Sequence, residues 1–533
     1  MKHTFSEVPE AEIQRSAFDR SMTHKTMFNS GYLIPFWTEE VLPGDTFNVD
    51  LTAFVRMPSA LNVPIMDNLH FDTFFFFVPN RLVWTNFVKF MGEQDNPADS
   101  VSYTVPVMTA YAPAAESLSD YMGIPISGTG TPMGNGGTIS HISLYHRAYN
   151  LIWNAWFRDE NLQNSVVVDK DDGPDSISDY VLLKRGKRHD YFTSALPWTQ
   201  KGTAVTAGLS GNAPITGLGK FNQVFYFTNK AVYETDQTNP TYGYAANLAQ
   251  STADNEWYVK GTAATGAYPQ IYANLSSASG LSINALRLAF QTQKMLERDA
   301  RGGTRYTELV KSHFGVTSPD ARLQRPEFLG GRSTPIQIST VPQTSATASQ
   351  PTPIGKLAAY ALGTNTRDGF TKSFTEHGMI LGLCMVRADL TYQQGLDRKF
   401  SRSTRLDYYF PALSHLGEQA VLNKELYAQG SANPTQDAAA FGYQERYAEY
   451  RYANSLISGK LRSTYSTPLD VWHLSQEFGS LPTLSSTFIV ETPPISRIIA
   501  VTTEPEFVMD TFIKCRAVRP MPTYSVPGLI DHF

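Results

Sequence analysis

A β-strand sends successive side chains to opposite faces, so a run of large apolar residues along one strand leaves neither face for water. The stretch Phe71 to Val78 carries such a run, Phe74-Phe75-Phe76-Phe77, at its centre. It predicts a strand covered on both sides, by a core on one and by a further layer or a neighbouring subunit on the other. The stretch Thr46 to Arg56 is of the opposite kind. Phe47, Val49, Leu51, Ala53 and Val55 share one face, and Thr46, Asn48, Asp50, Thr52 and Arg56 share the other, with Phe54 as the exception. That period of two is the pattern of a half-buried strand, and Pro43-Gly44-Asp45 supplies the turn before it. Near the other end of the chain, Phe507, Met509, Ile513, Cys515 and Ala517 alternate with Asp510, Lys514 and Arg516. Gly378 to Leu390 is a further strand, closing on the charged Arg387 and Asp389. Very long Pro- and Gly-containing connections separate these strands, which suggests a double-sheet β-structure with elaborated loops.

Helical spacing occurs inside the connections. Ile142, Tyr145, Tyr149, Ile152, Trp153 and Trp156 recur at that period within His141 to Arg158. So do Leu286, Ala289, Phe290, Gln293 and Leu296 within Asn284 to Arg301, which Gly302-Gly303 would stop. A shorter helix over Arg305 to Phe314 has Thr304 as its N-cap and Gly315 as its stop. Core packing is the default role of all three apolar stripes.

The segment Lys201 to Ile283 stands apart in composition. It holds four lysines, four carboxylates and no arginine, and Gly, Ala, Ser, Thr and Asn make up more than half of it. Phe221 to Phe227 and Trp257 to Val259 remain apolar enough to pair as strands. A structureless linker of this length is rare in a compact domain, so the segment reads as a neutral polar insertion projecting from a frame. The division is then residues 1–200, the first part of the frame, residues 201–283, the insertion, and residues 284–533, the rest of the frame.

Charged residues are 17% of the 533 and aromatics 12%, with 31 Phe and 27 Tyr. Soluble domains average about 25% charged residues, and protein–protein interfaces are poor in charge and rich in aromatics. A large, well-packed β-protein or burial of surface in an assembly would each account for this balance. The net charge of −5 excludes a chain that wraps nucleic acid with its whole surface. The two cysteines, Cys384 and Cys515, lie in apolar stretches and read as buried free thiols, which suits a reducing compartment. The first residues meet acidic groups before any apolar core, unlike a secretory leader. The longest apolar stretch, Gly378 to Val386, is far short of a membrane span.

Sequence signatures of catalysis are missing: no Walker loop, no H-E-x-x-H, no G-x-S-x-G and no C-x-x-C occurs, and the eleven His stand singly. Nothing calls for a cofactor or metal. The acidic run Asp169, Asp171, Asp172 and Asp175 has the alternation of a calcium loop, but it lacks the downstream bidentate Glu and is stiffened by Pro174, so a solvated turn is the preferred reading. Two basic clusters are candidates for nucleic-acid contact. Lys184, Arg185, Lys187 and Arg188 lie beside His189, Tyr191 and Phe192, and Lys514, Arg516 and Arg519 lie on or just after the last strand. Cations neutralise phosphates and rings stack on unpaired bases; a solvated face or ion pairing between subunits is the alternative for each. A third group, Arg398, Lys399, Arg402 and Arg405, is interleaved with Asp397 and Asp407 and reads as ion pairing.

Several ordered stretches carry a resemblance. They are Arg15-Ser16-Ala17-Phe18-Asp19-Arg20-Ser21 with His24-Lys25-Thr26, the run from Phe28 to Pro35, and the run from Glu40 to Phe47. His146-Arg147-Ala148-Tyr149-Asn150 continues the order through Trp156 to Asn161, and Asp190 to Trp198, Glu297 to Tyr306 and Ser318 to Glu327 follow. Asp407-Tyr408-Tyr409-Phe410-Pro411 and Gln444 to Tyr450 complete it. Together they resemble the major capsid protein of the Microviridae, in its gokushovirus branch, over nearly the whole chain. Thr199, where Pro is expected, and Phe410, where Trp is expected, are mild departures.

The resemblance implies a mainly β protein, an antiparallel eight-stranded viral jelly roll with long loop insertions containing helices. It implies a non-enzymatic shell subunit, about sixty copies of which close a T=1 icosahedron around circular single-stranded DNA. A small basic packaging protein, a bacterial surface receptor and assembly in the host cytoplasm go with it, and no membrane insertion does. In that family the segment corresponding to Lys201–Ile283 forms the surface protrusion, here expected to face the receptor.

Overall fold

A computed structural model of the chain describes residues 14–98, 102–203, 205, 215–216, 218–219, 258–259, 272–273, 283–303, 306–316, 324–345 and 354–524. Internal contacts divide the chain into two units, Met1–Thr199 with Thr304–Phe533, and Gln200–Gly303.

The larger unit is built on one curled antiparallel sheet. Its strands are β1 (Ser16–Asp19), β2 (Met22–Phe28), β3 (Ile34–Val41), β4 (Thr46–Arg56), β5 (Leu69–Pro79), β6 (Glu327–Pro342), β7 (Leu357–Ser373), β8 (Gly378–Ala388) and β9 (Phe507–Arg519). Hydrogen bonding runs in the order β1–β9–β4–β7–β6–β5–β8–β3, and β2 also pairs with β9. β1 lies against Arg516–Arg519 and β2 against Phe507–Ile513, so these two act as one interrupted edge strand and the sheet has eight positions. The long strand β6 joins the two halves: residues 327–336 pair with β5, and residues 337–342 pair with β7. The backbones come close at its bulge. A Cβ on Gly331 would stand 2.2 Å from the Thr73 carbonyl oxygen, so only glycine fits.

The halves face each other across the main core. Phe47, Val49, Leu51, Ala53 and Val55 of β4, with Phe507, Met509, Ile513, Cys515 and Ala517 of β9, meet Phe71, Phe75 and Phe77 of β5 and Ile380, Cys384 and Val386 of β8. The predicted strand Thr46 to Arg56 is therefore present with its faces as read. The exceptional Phe54 lies on the outer face, with the Arg56 guanidinium 4.9 Å from its ring centre.

The four-Phe strand is also covered twice, by its own chain. Phe75 and Phe77 enter the main core, and Phe76 enters a second cluster with Val78, Met379, Leu381, Leu383 and Met385. That cluster is roofed by helix α1 (Leu144–Ile152) and the π-helical turn Trp153–Phe157. Leu144, Ala148, Tyr149, Ile152, Trp153 and Phe157 point into it, and Phe157 meets Phe74 and Phe76 at ring-centre distances of 5.0 and 5.8 Å. Fully burying each such side chain stabilises by roughly 1.5–3 kcal/mol. The helix expected over His141 to Arg158 begins later than its periodicity suggested, because Ile139–Ile142 is a strand paired with Val107–Tyr111.

In the smaller unit α2 spans Ile283–Arg301 and ends near Gly303 in the left-handed region, as read. Its stripe packs only in part: Leu286 and Phe290 are exposed, Ala289, Gln293 and Leu296 are half-buried, and Ala300 is the buried residue of the helix. Two-residue ladders join Ile215–Thr216 to Tyr272–Ala273 and Leu218–Gly219 to Tyr258–Val259. The rest of the insertion, with the strand expected over Phe221 to Phe227, lies outside the described residues, as does the expected N-cap Thr304. Helix α3 (Tyr306–Phe314), which belongs to the larger unit, stops at Gly315 with positive φ.

Candidate interaction surfaces

The first basic cluster is dense in sequence and dispersed in space. Residues 184–187 run extended between two neighbours, bridging at Tyr32 and Val490, so successive side chains turn opposite ways. Lys184 lies over the Tyr32 ring at 4.7 Å. Arg185 turns to Asp72 at 3.5 Å and lies 5.8 Å from the Phe74 and Phe157 ring centres. Lys187 is buried, donates to Gln476 Oε1 at 2.8 Å and packs 4.6 Å over Phe488. Burial pulls the Lys187 pKa down, against the opposing pull of Glu491. Arg188 is the exposed member. The expected base-stacking rings are not available: Tyr191 and Phe192 are 4% and 2% exposed and hold a third core with Val421, Leu426 and Phe441.

The second cluster divides in the same way. Lys514 and Arg516 point outward from β9, Lys514 opposite Asp50 of β4 and Arg516 opposite Asp19 of β1. Arg519 turns in to Glu39 at 3.1 Å and Asp45 at 3.5 Å. Arg20 also reaches Glu39, at 2.7 Å. With His24 Nδ1 at 2.9 Å from the Phe36 carbonyl oxygen, these side chains bridge the gap between the sheet's two edges, β2 and β3. Three of the third group ion-pair, but only Lys399 uses an interleaved acid, Asp397 at 2.9 Å; Arg398 pairs with the distant Glu425 at 2.9 Å, Arg402 with Glu449 at 3.6 Å, and Arg405 lies over the Phe410 ring.

The acidic run 169–175 is mainly a counter-ion for Arg147, whose side chain is completely buried in α1. Arg147 donates through Nε to Asp175 Oδ2 at 2.7 Å and through Nη1 to the Val83 and Asp171 carbonyls at 3.0 and 2.8 Å. Tyr180 adds a bond to Asp175 at 2.9 Å. Burial alone would raise the Asp175 pKa, but the hydrogen bonds from Arg147 and Tyr180 hold it below the usual range. Asp172 accepts from Trp84 Nε1 at 2.6 Å. A preferred reading as a solvated turn therefore holds only for Asp171 and Asp172, which are exposed. No local pattern announces this pair, because 28 residues separate Arg147 from Asp175.

Among the described residues no group of three or more His, Cys, Asp or Glu could hold a metal ion, and no helix is long and apolar enough to cross a membrane. Cys384 and Cys515 are buried and unbridged, and burial pushes the Cys515 thiol up to about 11. Ser119 Oγ and His146 Nε2 lie 2.9 Å apart, but both residues are 1% exposed, so no substrate reaches them.

The family model for "Capsid protein (F protein)" matches residues 6–529. The capsid protein VP1 of Bdellovibrio phage phiMH2K is 45% identical over 542 residues, covering 100% of this chain and 98% of the relative. VP1 of Chlamydia phage 1 is 43% identical, with 99% and 98% covered, and VP1 of Spiroplasma virus 4 is 37% identical, with 99% and 97% covered. The chain belongs to the Microviridae F-type capsid protein family. This capsid protein is a structural component of a phage virion and not an enzyme, and its work is homo-oligomeric shell assembly. Such a subunit must keep apolar surface for its neighbours. The excursion between β8 and β9 does so: Phe400, Leu406, Tyr408, Tyr452 and Leu456 are each more than half exposed.

Proposed function

We propose that this capsid protein closes as about sixty identical copies into a T=1 icosahedral shell around a circular single-stranded DNA genome. The observation that carries the reading is the end-to-end family match, which covers the frame strands and the long connections alike. Each contact is modest, but closed symmetry satisfies all of them together. Assembly takes place in the bacterial cytoplasm, with a small basic packaging protein supplying positive charge that a chain of net charge −5 does not. Electron microscopy and sedimentation of the purified protein should reveal closed particles of one size. A stable monomer under every assembly condition overturns the proposal.

Within that shell, Arg188, Lys514 and Arg516 are the exposed members of the clusters, and they are proposed to face the genome. Lys184, Arg185, Lys187 and Arg519 instead hold the fold through the contacts described above. The neutral insertion Lys201–Ile283 is proposed to face outward, to a bacterial surface receptor. Its deletion should reduce host attachment more than assembly; loss of folding instead would make it part of the core.

A further inference from the structure

The excursion between β8 and β9 builds an aromatic platform from two separate segments. Tyr409 lies 5.2 Å from Tyr447 and 6.2 Å from Tyr450, ring centre to ring centre. The Arg402 guanidinium stands 4.2 Å over Tyr450 and 5.4 Å over Tyr408, and Arg405 stands 5.1 Å over Phe410. Tyr447 is buried and forms the floor, its hydroxyl donating to the Leu406 carbonyl at 3.3 Å. Above it Leu406, Tyr408, Tyr409, Tyr450 and Tyr452 are 59%, 54%, 49%, 49% and 58% exposed.

We infer that this platform is where a second copy of the same chain docks during shell closure. The inference rests on the shell reading above and adds which surface does the work. Three observations select that occupant. The first is area. An aromatic side chain buries about 150–250 Å² when covered, so the platform and its flanking Phe400 leave on the order of 600 Å² of apolar surface open. That approaches the roughly 800 Å² per partner of a stable interface and reaches the upper range of apolar patches on monomeric proteins.

The second is charge. Arg402, Arg398 and Lys399 already hold Glu449, Glu425 and Asp397, and Arg451 pairs with Glu445. Most of the cations around the platform are thus neutralised within the subunit, which leaves little field for phosphates. Neutralised Tyr and Arg groups are instead the usual anchors of protein interfaces.

The third is rigidity. Rings braced by guanidinium groups and by one another lose little rotamer freedom on docking. Among the described residues the Tyr408 and Tyr409 hydroxyls donate to nothing in the subunit, so they remain available to a partner.

The test uses Tyr408→Cys. Both native thiols are buried, so a maleimide reads the new cysteine alone. In free subunits it should label at the rate of an exposed thiol, and in closed particles at least about tenfold more slowly. Equal rates in the two states overturn the inference while leaving the shell reading intact. Protection in DNA-filled particles that vanishes in empty ones overturns it in favour of nucleic acid. Absence of particles from the wild-type chain is failure of the shell reading itself, and the inference falls with it. As a second arm, the pair L406E and Y408E should cut particle yield at least about tenfold with unchanged subunit unfolding; wild-type yield overturns the inference.

Discussion

Strands β8 and β9 belong to the same sheet, are of similar length and line the same core, yet every residue of β8 is buried and only alternate residues of β9 are. The difference lies behind them. β8 has α1 and its π-helical turn packed on its far face, so Met379, Leu381, Leu383 and Met385 are as dry as Ile380 and Cys384. The far face of β9 carries Asp510, Phe512, Lys514 and Arg516 in the open, among cross-strand carboxylates. One chain thus completes one side of its jelly roll by itself and leaves the other to solvent or to the rest of the virion.

The sharpest way to break this contrast is at the pin of the covering layer. Arg147→Met leaves Asp175 buried without its counter-ion and should cost about 3–5 kcal/mol in chemical denaturation of the subunit. A cost below about 1 kcal/mol would mean that apolar packing alone holds the layer. Next, Leu381→Ala behind β8 and Met509→Ala in front of β9 should each cost about 2–5 kcal/mol. Phe512→Ala, on the open face, should cost about 0.5 kcal/mol or less. A Phe512 cost equal to that of Leu381 would show β9 to be covered as well.

A third test is pH. His146 is buried beneath the roof, stacked on His141 at 5.1 Å, and its Nδ1 has no partner. Its pKa falls from 6.5 to about 3, first through burial and then through His141, with Asp175 pulling the other way. The unfolded chain takes up this proton as pH drops below about 6.5, and the folded chain does not until about 3. The contribution is therefore fully present above that upper value and is lost as pH falls through the window, by about 2 kcal/mol at pH 5. In His146→Gln the unfolding free energy should lose that part of its slope. Smallest of all, Arg188→Gln and Arg516→Gln should leave subunit stability within about 0.5 kcal/mol, with the effect appearing as lower DNA content per particle. Unchanged DNA content would remove both from the genome-facing surface.

The strands with uninterrupted patterns were legible: Thr46–Arg56 occurs with the bounds read, and the runs read over Phe71–Val78, Gly378–Leu390 and Phe507–Ala517 occur as Leu69–Pro79, Gly378–Ala388 and Phe507–Arg519. β6 and β7 were not, although β7 is the longest strand among the described residues. Their registers shift at Phe328/Gly330 and Asn365/Asp368, and each shift exchanges inward and outward positions, so no single period runs through either strand. The candidate sites were harder still. The basic cluster 184–188 looked like a patch because its residues are adjacent, and extended backbone separates neighbours to opposite sides. The aromatic platform could not be read, because residues 402–410 and 447–452 meet only in space.

By itself, then, the sequence determined the β character, the strand that needed covering twice, the neutral composition of residues 201–283 and, through its ordered motifs, the capsid family. Those are properties of local period and composition, which act over a few residues at a time. Tertiary structure alone decided which helix covers Phe74–Phe77, which of the seven basic candidates reach solvent, and where rings from distant segments gather. Such outcomes depend on contacts between residues tens to hundreds of positions apart, and no local pattern records them.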